Sequence, residues 1–232
     1  PQLSPIAPAK RFNTARRNLS GYAKSGDTNA MRRGVGSFVR GWGGSRTATR
    51  RMGGTVRNAA VLHSMLSGGP GTGSVVQTDS GPFDRAVLQG RSGREIIDAV
   101  VEAIRPGNGT LDAEASRRAL DEAMTEILTR DPNADLFNLN EDQREHAVEV
   151  YVASDVARLV ELDLGPHIQN NAPNTTTAMA RLKEVRAFIR ETVAASFRKL
   201  KAAGQSLTGS RVNAVVQAAL RDALAVFEGY AS

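Results

Sequence analysis

The sequence predicts an all-α protein, a multi-helix bundle with a basic N-terminal helical segment and a long C-terminal helical region. Three observations predict this fold class. Apolar residues recur every three or four positions along most of the 232 residues, the spacing of one helix face. Helix-start patterns precede several of these stretches. Only the short run from Ser74 to Gln77 suggests a β-strand.

The composition favours a soluble protein of the cytoplasm. The chain has no cysteine, which excludes disulfides and thiolate sites. No apolar run approaches the roughly 18 residues of a membrane span, and the first residues lack the apolar centre of a signal peptide. Since the sequence starts at Pro1 instead of methionine, we expect the native N-terminal residues to lie outside it.

The net charge of +6 conceals a strong asymmetry. Residues 1–57 hold 12 Lys or Arg against one acid, Asp27, which gives +11. Residues 58–232 hold 18 Lys or Arg against 23 acids, which gives −5. A local positive field attracts phosphate groups or an acidic partner surface. The N-terminal part is therefore the first place to look for a binding surface.

Changes in composition predict four segments along the chain. Residues 1–9 hold three prolines and form an extended tail, because proline fixes φ and removes backbone donors. Residues 10–66 form a basic helical segment. Residues 67–82 form a glycine- and proline-rich linker. Residues 83–232 form the C-terminal helical bundle.

The basic segment is predicted to contain three helices. The first starts near Lys10, and the second ends at Gly43 and Gly44 with Trp42 on its apolar face. The third opens at Ser45, a suitable N-cap. One stripe of the third helix carries Arg46, Arg50 and Arg57 together with Gly53, and the opposite side carries Ala48, Met52, Val56, Ala59 and Leu66.

The glycine in this arginine stripe leaves two interpretations open. Gly53 and Gly54 each cost about 1 kcal/mol relative to alanine inside a helix, so they need a reason. Glycine can let another backbone or a phosphate approach closely. It can equally mark a local kink or a tight helix contact.

Four long helices are predicted for the C-terminal bundle after a shorter one. The shorter helix begins at a capping box of Ser92 and Glu95 and stops at Pro106. A second start lies at Asn140, with Gln143 three residues later. The long helices are expected from Leu111 to Thr129, from Asn140 onward, around Met179 to Leu200, and from about Gly209 to Tyr230.

No motif in the sequence predicts a cofactor or a metal. The run GGPGTGS at residues 68–74 resembles a phosphate-binding loop, but Ser74 stands where that loop needs lysine and a helix precedes it instead of a strand. Asp142 with His146, and Asp163 with His167, have the spacing of ligands on one helix face. Such pairs are common on helix surfaces, so we expect no metal.

The sequence also predicts that the chain is not an enzyme. No GxSxG elbow is present, and the histidines have no identifiable serine partner. Tryptophan and arginine are enriched in binding hot spots. Trp42 also fits a core position, since it lies on the apolar side of its helix. The predicted partner- or nucleic-acid-binding residues are Arg32, Arg33, Arg40, Trp42, Arg46, Arg50, Arg51 and Arg57.

Several longer strings resemble the QatB family of the Qat anti-phage defence systems. They are GGSRTATRRMGGTVRNAAVLHSMLSG (43–68), LQGRSGREIIDAVVEAIRPGNGTLDAEASRRALDEAM (88–124), ARLKEVRAFIRETVAASFRKL (180–200) and the ending FEGYAS. The resemblance covers most of the chain from about residue 10. None of these strings is a catalytic consensus.

The resemblance implies a non-enzymatic subunit whose partners carry the chemistry. The expected partners are a QueC-like enzyme (QatC), the ATPase QatA and the TatD-like nuclease QatD. The QueC-like enzyme is expected to attach a 7-deazaguanine-type group to the N-terminus of the subunit, at a glycine exposed after methionine removal. This sequence departs from that pattern, because it begins with Pro1 and its first glycine is Gly21. No residue is therefore assigned as the modification site.

A nucleic-acid-binding protein is the alternative function. Arginines neutralise phosphates, and three short helices are compatible with helix-turn-helix geometry. No helix carries a convincing set of base-reading side chains, so sequence-specific readout has little support. The positive charge supports an anionic partner, and the choice of protein over nucleic acid comes mainly from the resemblance.

Overall fold

A computed structural model of the chain describes residues 10–68, 73, 75–78 and 80–231. These residues form nine α-helices and one small two-stranded sheet, which confirms the all-α fold class. The predicted tail lies outside them. The helices are α1 (Asn13–Ser25), α2 (Thr28–Gly41), α3 (Ser45–Arg51), α4 (Gly53–Leu66), α5 (Gly93–Ile104), α6 (Leu111–Arg130), α7 (Glu141–Asn171), α8 (Thr175–Ala202) and α9 (Val212–Gly229).

Helices α1 and α2 pack against each other and are connected by a tight turn at residues 26–27. Helix α1 ends at Ser25 and is capped by Gly26, whose φ of 75° is the left-handed conformation that glycine adopts readily. Asp27 then caps α2 by accepting a hydrogen bond from the backbone N–H of Asn29 at 2.9 Å. The two helices approach closely at Gly34, where an added Cβ would lie 2.6 Å from Leu19 Cγ. The predicted apolar faces are therefore the packed faces.

The predicted third helix is two helices. It begins at Ser45 as expected, but α3 ends at Arg51 and α4 begins at Gly53, with Met52 between them. Among the described atoms, nothing lies within 4 Å of the positions that a Cβ would take at Gly53 or Gly54. The glycines thus accompany a break in the helix, and the prediction of one continuous arginine stripe through Gly53 was wrong.

Local capping signals fixed two later helix starts. The Ser92 side chain accepts from the Glu95 N–H, and the Glu95 carboxylate accepts from the Ser92 N–H, which confirms the capping box. Asn140 and Gln143 cap α7 in the same reciprocal way, at 3.0 and 2.9 Å. Both pairs are close in sequence, so the pattern sufficed to locate them.

The predicted linker contains most of a β-hairpin. Strand β1 (Val75–Thr78) pairs antiparallel with β2 (Gly81–Asp84), with Val76 opposite Phe83. Gly81 has a φ of 113° at the start of the second strand, a conformation suited to glycine. A short 3-10 helix, Arg85–Leu88, follows. The suggested strand at residues 74–77 corresponds to β1 with its boundary shifted by one residue.

The chain divides into two compact units that are not contiguous in sequence. The first unit comprises Pro1–Arg51, Val160–Val185 and Arg221–Ser232, and the second comprises Met52–Leu159 and Arg186–Leu220. Each unit combines early and late parts of the chain. The predicted four segments divide the chain along its length instead, and they stay a prediction.

The first unit is built around α1 and α2. Its core includes Leu19, Tyr22, Val35 and Phe38, all almost fully buried. The Tyr22 hydroxyl donates to Glu184 Oε2 at 2.5 Å and lies 3.2 Å from the Arg181 carbonyl. Burial, and then the Glu184 carboxylate, raise the pKa of Tyr22 above its usual value.

The second unit buries a polar network within an apolar core. The Thr55 hydroxyl on α4 donates to Asp155 Oδ2 on α7 at 2.6 Å. Ser116 on α6 lies 3.1 Å from the Tyr151 hydroxyl and 3.4 Å from the Asn58 amide. Burial raises the pKa of Asp155, against the lowering effect of its hydrogen bonds with Thr55 and Ser116. These polar contacts fix how α4, α6 and α7 pack.

None of the described helices combines the length and apolar character that crossing a membrane requires.

Candidate partner-binding surface

Helix α3 presents three exposed arginines that have no side-chain partner among the described residues. Ala48 and Thr49 turn inward and are buried, while Arg46, Arg50 and Arg51 are exposed. In the described part of the chain, these three side chains form no hydrogen bond and no ion pair. Arg46 and Arg50 are four residues apart, so both lie on nearly the same side of the helix. Their guanidinium groups remain available to an anionic group.

Residues 228–231 contact both α2 and the start of α3. The backbone N–H of Ser45 donates to Glu228 Oε2 at 2.9 Å. The Arg40 guanidinium donates to the Ala231 carbonyl at 2.9 Å. The Arg32 guanidinium lies over the Tyr230 ring, 5.5 Å from its centroid, in a cation–π contact. We call residues 228–231 the C-terminal turn, and all of these contacts lie within the first unit.

Two glycines allow this close contact. A Cβ added at Gly44 would lie 2.8 Å from Glu228 Oε1. A Cβ added at Gly36 would lie 2.4 Å from the Phe227 carbonyl oxygen, which is closer than side chains tolerate. Gly44 also has a φ of 84°. Glycine is therefore required where the C-terminal turn meets α2 and α3.

The electrostatics of the first unit favour an anionic partner. The unit holds 14 Lys or Arg and six Asp or Glu, a net charge of +8, whereas the second unit holds 16 and 18, a net charge of −2. The hydrogen bond from the Ser45 N–H, with further help from Arg40, lowers the pKa of Glu228. Glu228 is thus held as a carboxylate within a basic surface.

The remaining predicted residues do not all belong to this surface. Arg33 is exposed, with its guanidinium 3.5 Å from the Asp27 carboxylate, a surface pair of little energetic weight. Trp42 is half-buried against Phe38, with ring centroids 5.1 Å apart. Arg57 is exposed on α4 and belongs to the second unit. The structure thus groups seven of the eight predicted residues in the first unit.

Several arginines of the second unit are engaged by carboxylates. Glu122 on α6 accepts from Arg158 at 3.0 Å and from Arg190 at 2.5 Å. Arg190 also contacts Glu126 at 3.2 Å. These side chains are only about one-fifth to one-third exposed, and each guanidinium has an acidic partner. The same residue type therefore connects helices in this unit.

One of the two carboxylate–histidine pairs considered as metal ligands, Asp142 with His146, has other partners. Asp142 binds Lys201 at 2.8 Å, and His146 Nε2 lies 3.0 Å from Glu126 Oε1. Within residues 10–68, 73, 75–78 and 80–231, no three ligand-type side chains are arranged to hold a metal ion. The spacing of Asp142 and His146 is explained by these helix–helix contacts.

One cleft in the second unit has the volume of a ligand site. It measures about 820 Å³ and lies between the 3-10 helix, the start of α5 and residues 132–138. Its lining arginines are already engaged: Arg91 with Glu95, Arg94 with Asp98 and Asp121. Arg85 donates to the Met65 carbonyl at 3.3 Å. The Glu95 carboxylate already accepts from the Ser92 N–H at the start of α5, so this helix end and the paired arginines have little left to bind an anion in the cleft.

Sequence reasoning missed the residues of the C-terminal turn. Glu228 and Ser45 are 183 positions apart, and no short-range pattern connects them. The only signal was the ending FEGYAS, which includes Glu228 and Tyr230. That string contributed to the family resemblance and was given no structural role.

The family comparison agrees with the resemblance seen in the sequence. The family model for the Qat anti-phage system associated protein QatB matches residues 43–227. This region includes α3 and the whole of the second unit, and it ends just before Glu228. No curated protein and no solved structure matches the chain.

Proposed function

Because the chain belongs to the QatB family and is thereby a component of the Qat anti-phage system, we propose that it is a non-enzymatic subunit that docks its partners through the first unit. The partners carry the chemistry. The QueC-like enzyme QatC is the primary partner in this proposal, and QatA and QatD are further candidates. The chain acts as its substrate and receives a 7-deazaguanine-type group at the native N-terminus.

The exposed arginines of α3 carry the docking part of the proposal. Arg46, Arg50 and Arg51 have no acidic partner in the described residues, in a unit with a net charge of +8. A charged surface of this kind speeds association with an oppositely charged partner and helps to set orientation. The exposed arginines therefore support a partner that presents an acidic surface to α3.

The N-terminal modification rests on the family alone. The proposal assigns the acceptor to no residue of the present sequence, which begins with Pro1 and has its first glycine at Gly21. Residues 1–9 lie outside the described part of the chain and carry no part of this proposal.

Intact mass spectrometry tests the modification. The chain is expressed with its native N-terminal residues, together with active or inactivated QueC-like enzyme. We expect a mass increase that requires the active enzyme and maps to the N-terminal peptide. An unmodified chain beside a demonstrably active enzyme would remove the substrate role.

Charge reversal tests the docking surface. We expect R46E/R50E/R51E to weaken binding to the QueC-like partner about 100-fold, because like charges opposed across an interface cost several kcal/mol. The matched control is K10E/R17E/K24E, which reverses three exposed cations of the same unit. It should change the affinity less than about threefold if α3 is the docking element. Equal losses in both variants would show only a dependence on net charge.

Nucleic-acid binding is the alternative function, and the same arginines favour it. If α3 contacts phosphates, binding to duplex DNA should weaken steeply with salt. Removing three phosphate contacts should then reduce the slope of log K against log salt by about 3. Salt-insensitive DNA binding by the unaltered chain would contradict this phosphate-contact model.

A further inference from the structure

We propose that the C-terminal turn positions the three α3 arginines for an acidic protein partner, with Glu228 as the positioning residue. This inference rests on the proposed docking function and adds the element that holds the docking surface in place. The turn follows Phe227, so it lies beyond the region that the family model matches.

Helix α3 needs support from outside itself. It has seven residues, and a helix of two turns has little intrinsic stability in water. The backbone N–H groups of its first turn have no partners within the helix. Glu228 supplies one by accepting from the Ser45 N–H at 2.9 Å, and its negative charge suits the positive end of the helix dipole.

The turn itself is anchored on α2. Its backbone is closed by hydrogen bonds from the Tyr230 N–H to the Phe227 carbonyl and from the Ala231 N–H to the Glu228 carbonyl, at 3.0 and 3.1 Å. Arg40 binds the Ala231 carbonyl, and Arg32 covers the Tyr230 ring. The turn is thus held by α2 while Glu228 holds α3. The start of α3 is fixed relative to α2 by this connection.

The composition of this surface favours an acidic protein over a phosphate backbone. Tyr230 is 37% exposed and lies against Arg32, one of the arginines that the turn contacts. Exposed tyrosine beside arginine is typical of protein–protein hot spots. The Glu228 carboxylate, which stands at the start of α3, would repel phosphates. A protein can place its acids opposite the arginines and a donor opposite Glu228.

Three substitutions at Glu228 separate charge from position. E228A and E228Q both remove one negative charge, which by charge alone should strengthen binding to an acidic partner. E228Q keeps an oxygen that accepts from Ser45, and E228A does not. E228D keeps the charge but shortens the side chain by one methylene. Position and charge therefore predict opposite changes in binding for E228A, and for E228D position predicts a loss where charge alone predicts no change.

We expect E228A and E228D to bind the QueC-like partner about fivefold more weakly or worse, the size of effect expected for the loss of a helix cap. We expect E228Q to bind the partner at least as well as the unaltered chain. Hydrogen exchange in the free chain gives a second readout. Amides at the start of α3 should exchange about fivefold faster in E228A and E228D, and at the unaltered rate in E228Q. Circular dichroism checks that all three variants are folded.

Either readout can overturn the inference. Unchanged or tighter binding by E228A would show that Glu228 does not position the α3 arginines for the partner, and unchanged exchange would show that Glu228 does not hold α3. Faster exchange with normal partner binding by both E228A and R46E/R50E/R51E would instead overturn the proposed docking surface. Binding of duplex DNA in preference to the partner protein, lost in R46E/R50E/R51E, would overturn the choice of an acidic protein.

Discussion

Two groups of arginines, one in each unit, are used in opposite ways. In the first unit, Arg46, Arg50 and Arg51 project from a short helix into solvent without a described partner. In the second unit, Arg158 and Arg190 lie against Glu122 with only a fifth to a third of each side chain exposed. One unit carries a net charge of +8 and the other −2. The local supply of carboxylates accounts for the difference.

This comparison shows that arginine content alone does not locate a binding surface. The chain has 18 Lys or Arg after residue 57, yet many of those in the second unit connect helices. A cation that has already lost water to a carboxylate gains little from another anion. An exposed cation that is not paired with a carboxylate can still gain a favourable interaction with an anionic group of a binding partner. Predictions about stability should therefore separate the two groups of arginines.

The largest effect is expected at Glu122. E122A leaves Arg158 and Arg190 without their shared partner, so we expect the free energy of unfolding to fall by about 2 kcal/mol, below the roughly 3–5 kcal/mol of a fully buried pair. Urea denaturation measures the change. The control is E191A, which breaks the exposed pair of Glu191 with Arg198 and should cost about 0.5 kcal/mol or less. Equal losses would remove the distinction between connecting and exposed pairs.

A smaller effect is expected from pH at Asp155. Burial raises the pKa of this carboxyl above 3.8 in the folded chain, so the folded state binds the proton more tightly than the unfolded state. Well below pH 3.8 both states are protonated and the group contributes nothing. As pH rises through the folded-state pKa, Asp155 increasingly destabilises the fold.

The variant D155N tests this sign. Because its amide does not titrate, D155N should gain stability relative to the unaltered chain as pH rises from about 4 to 7. Urea unfolding at several pH values measures the difference between the two proteins. A difference that stays constant, or that changes in favour of the unaltered chain, would contradict the assigned burial effect.

The smallest effect is expected for the α3 arginines. R46A, R50A and R51A should each change the free energy of unfolding by less than about 0.5 kcal/mol, since the side chains are exposed and alanine favours helix. Thermal unfolding of the single variants measures this. R190A, measured by thermal unfolding in the same way, should be clearly less stable than the unaltered chain, because it leaves Glu122 and Glu126 without their shared cation. A large loss in the α3 variants would mean that these arginines stabilise the fold.

Local signals allowed much of the fold to be predicted. The buried faces of α1 and α2 follow the apolar spacing, and the capping pairs Ser92–Glu95 and Asn140–Gln143 mark helix starts correctly. Each signal involves residues within one or two helical turns. The break at Met52 was missed, because a continuous apolar spacing runs through it and glycine alone does not say where a helix ends.

The candidate surface could be predicted only in part. The excess of basic residues before residue 58 predicted a binding surface there, and seven of the eight predicted residues lie in the first unit. Their binding role stays a prediction. Arg57 belongs to the other unit, because the chain passes from one to the other at Met52. The sequence did not show which arginines are already paired, because their carboxylate partners lie far away along the chain.

The sequence by itself determined the helical class, the main helix faces and the concentration of positive charge, because these depend on the order of neighbouring residues. The tertiary structure decided which charges meet. Glu228 reaches Ser45 across 183 positions, and Glu122 binds Arg190 across 68. Such pairs depend on the packing of whole helices, which no local pattern encodes. That packing connects Arg158 and Arg190 of the second unit to Glu122 and leaves the three arginines of α3 exposed.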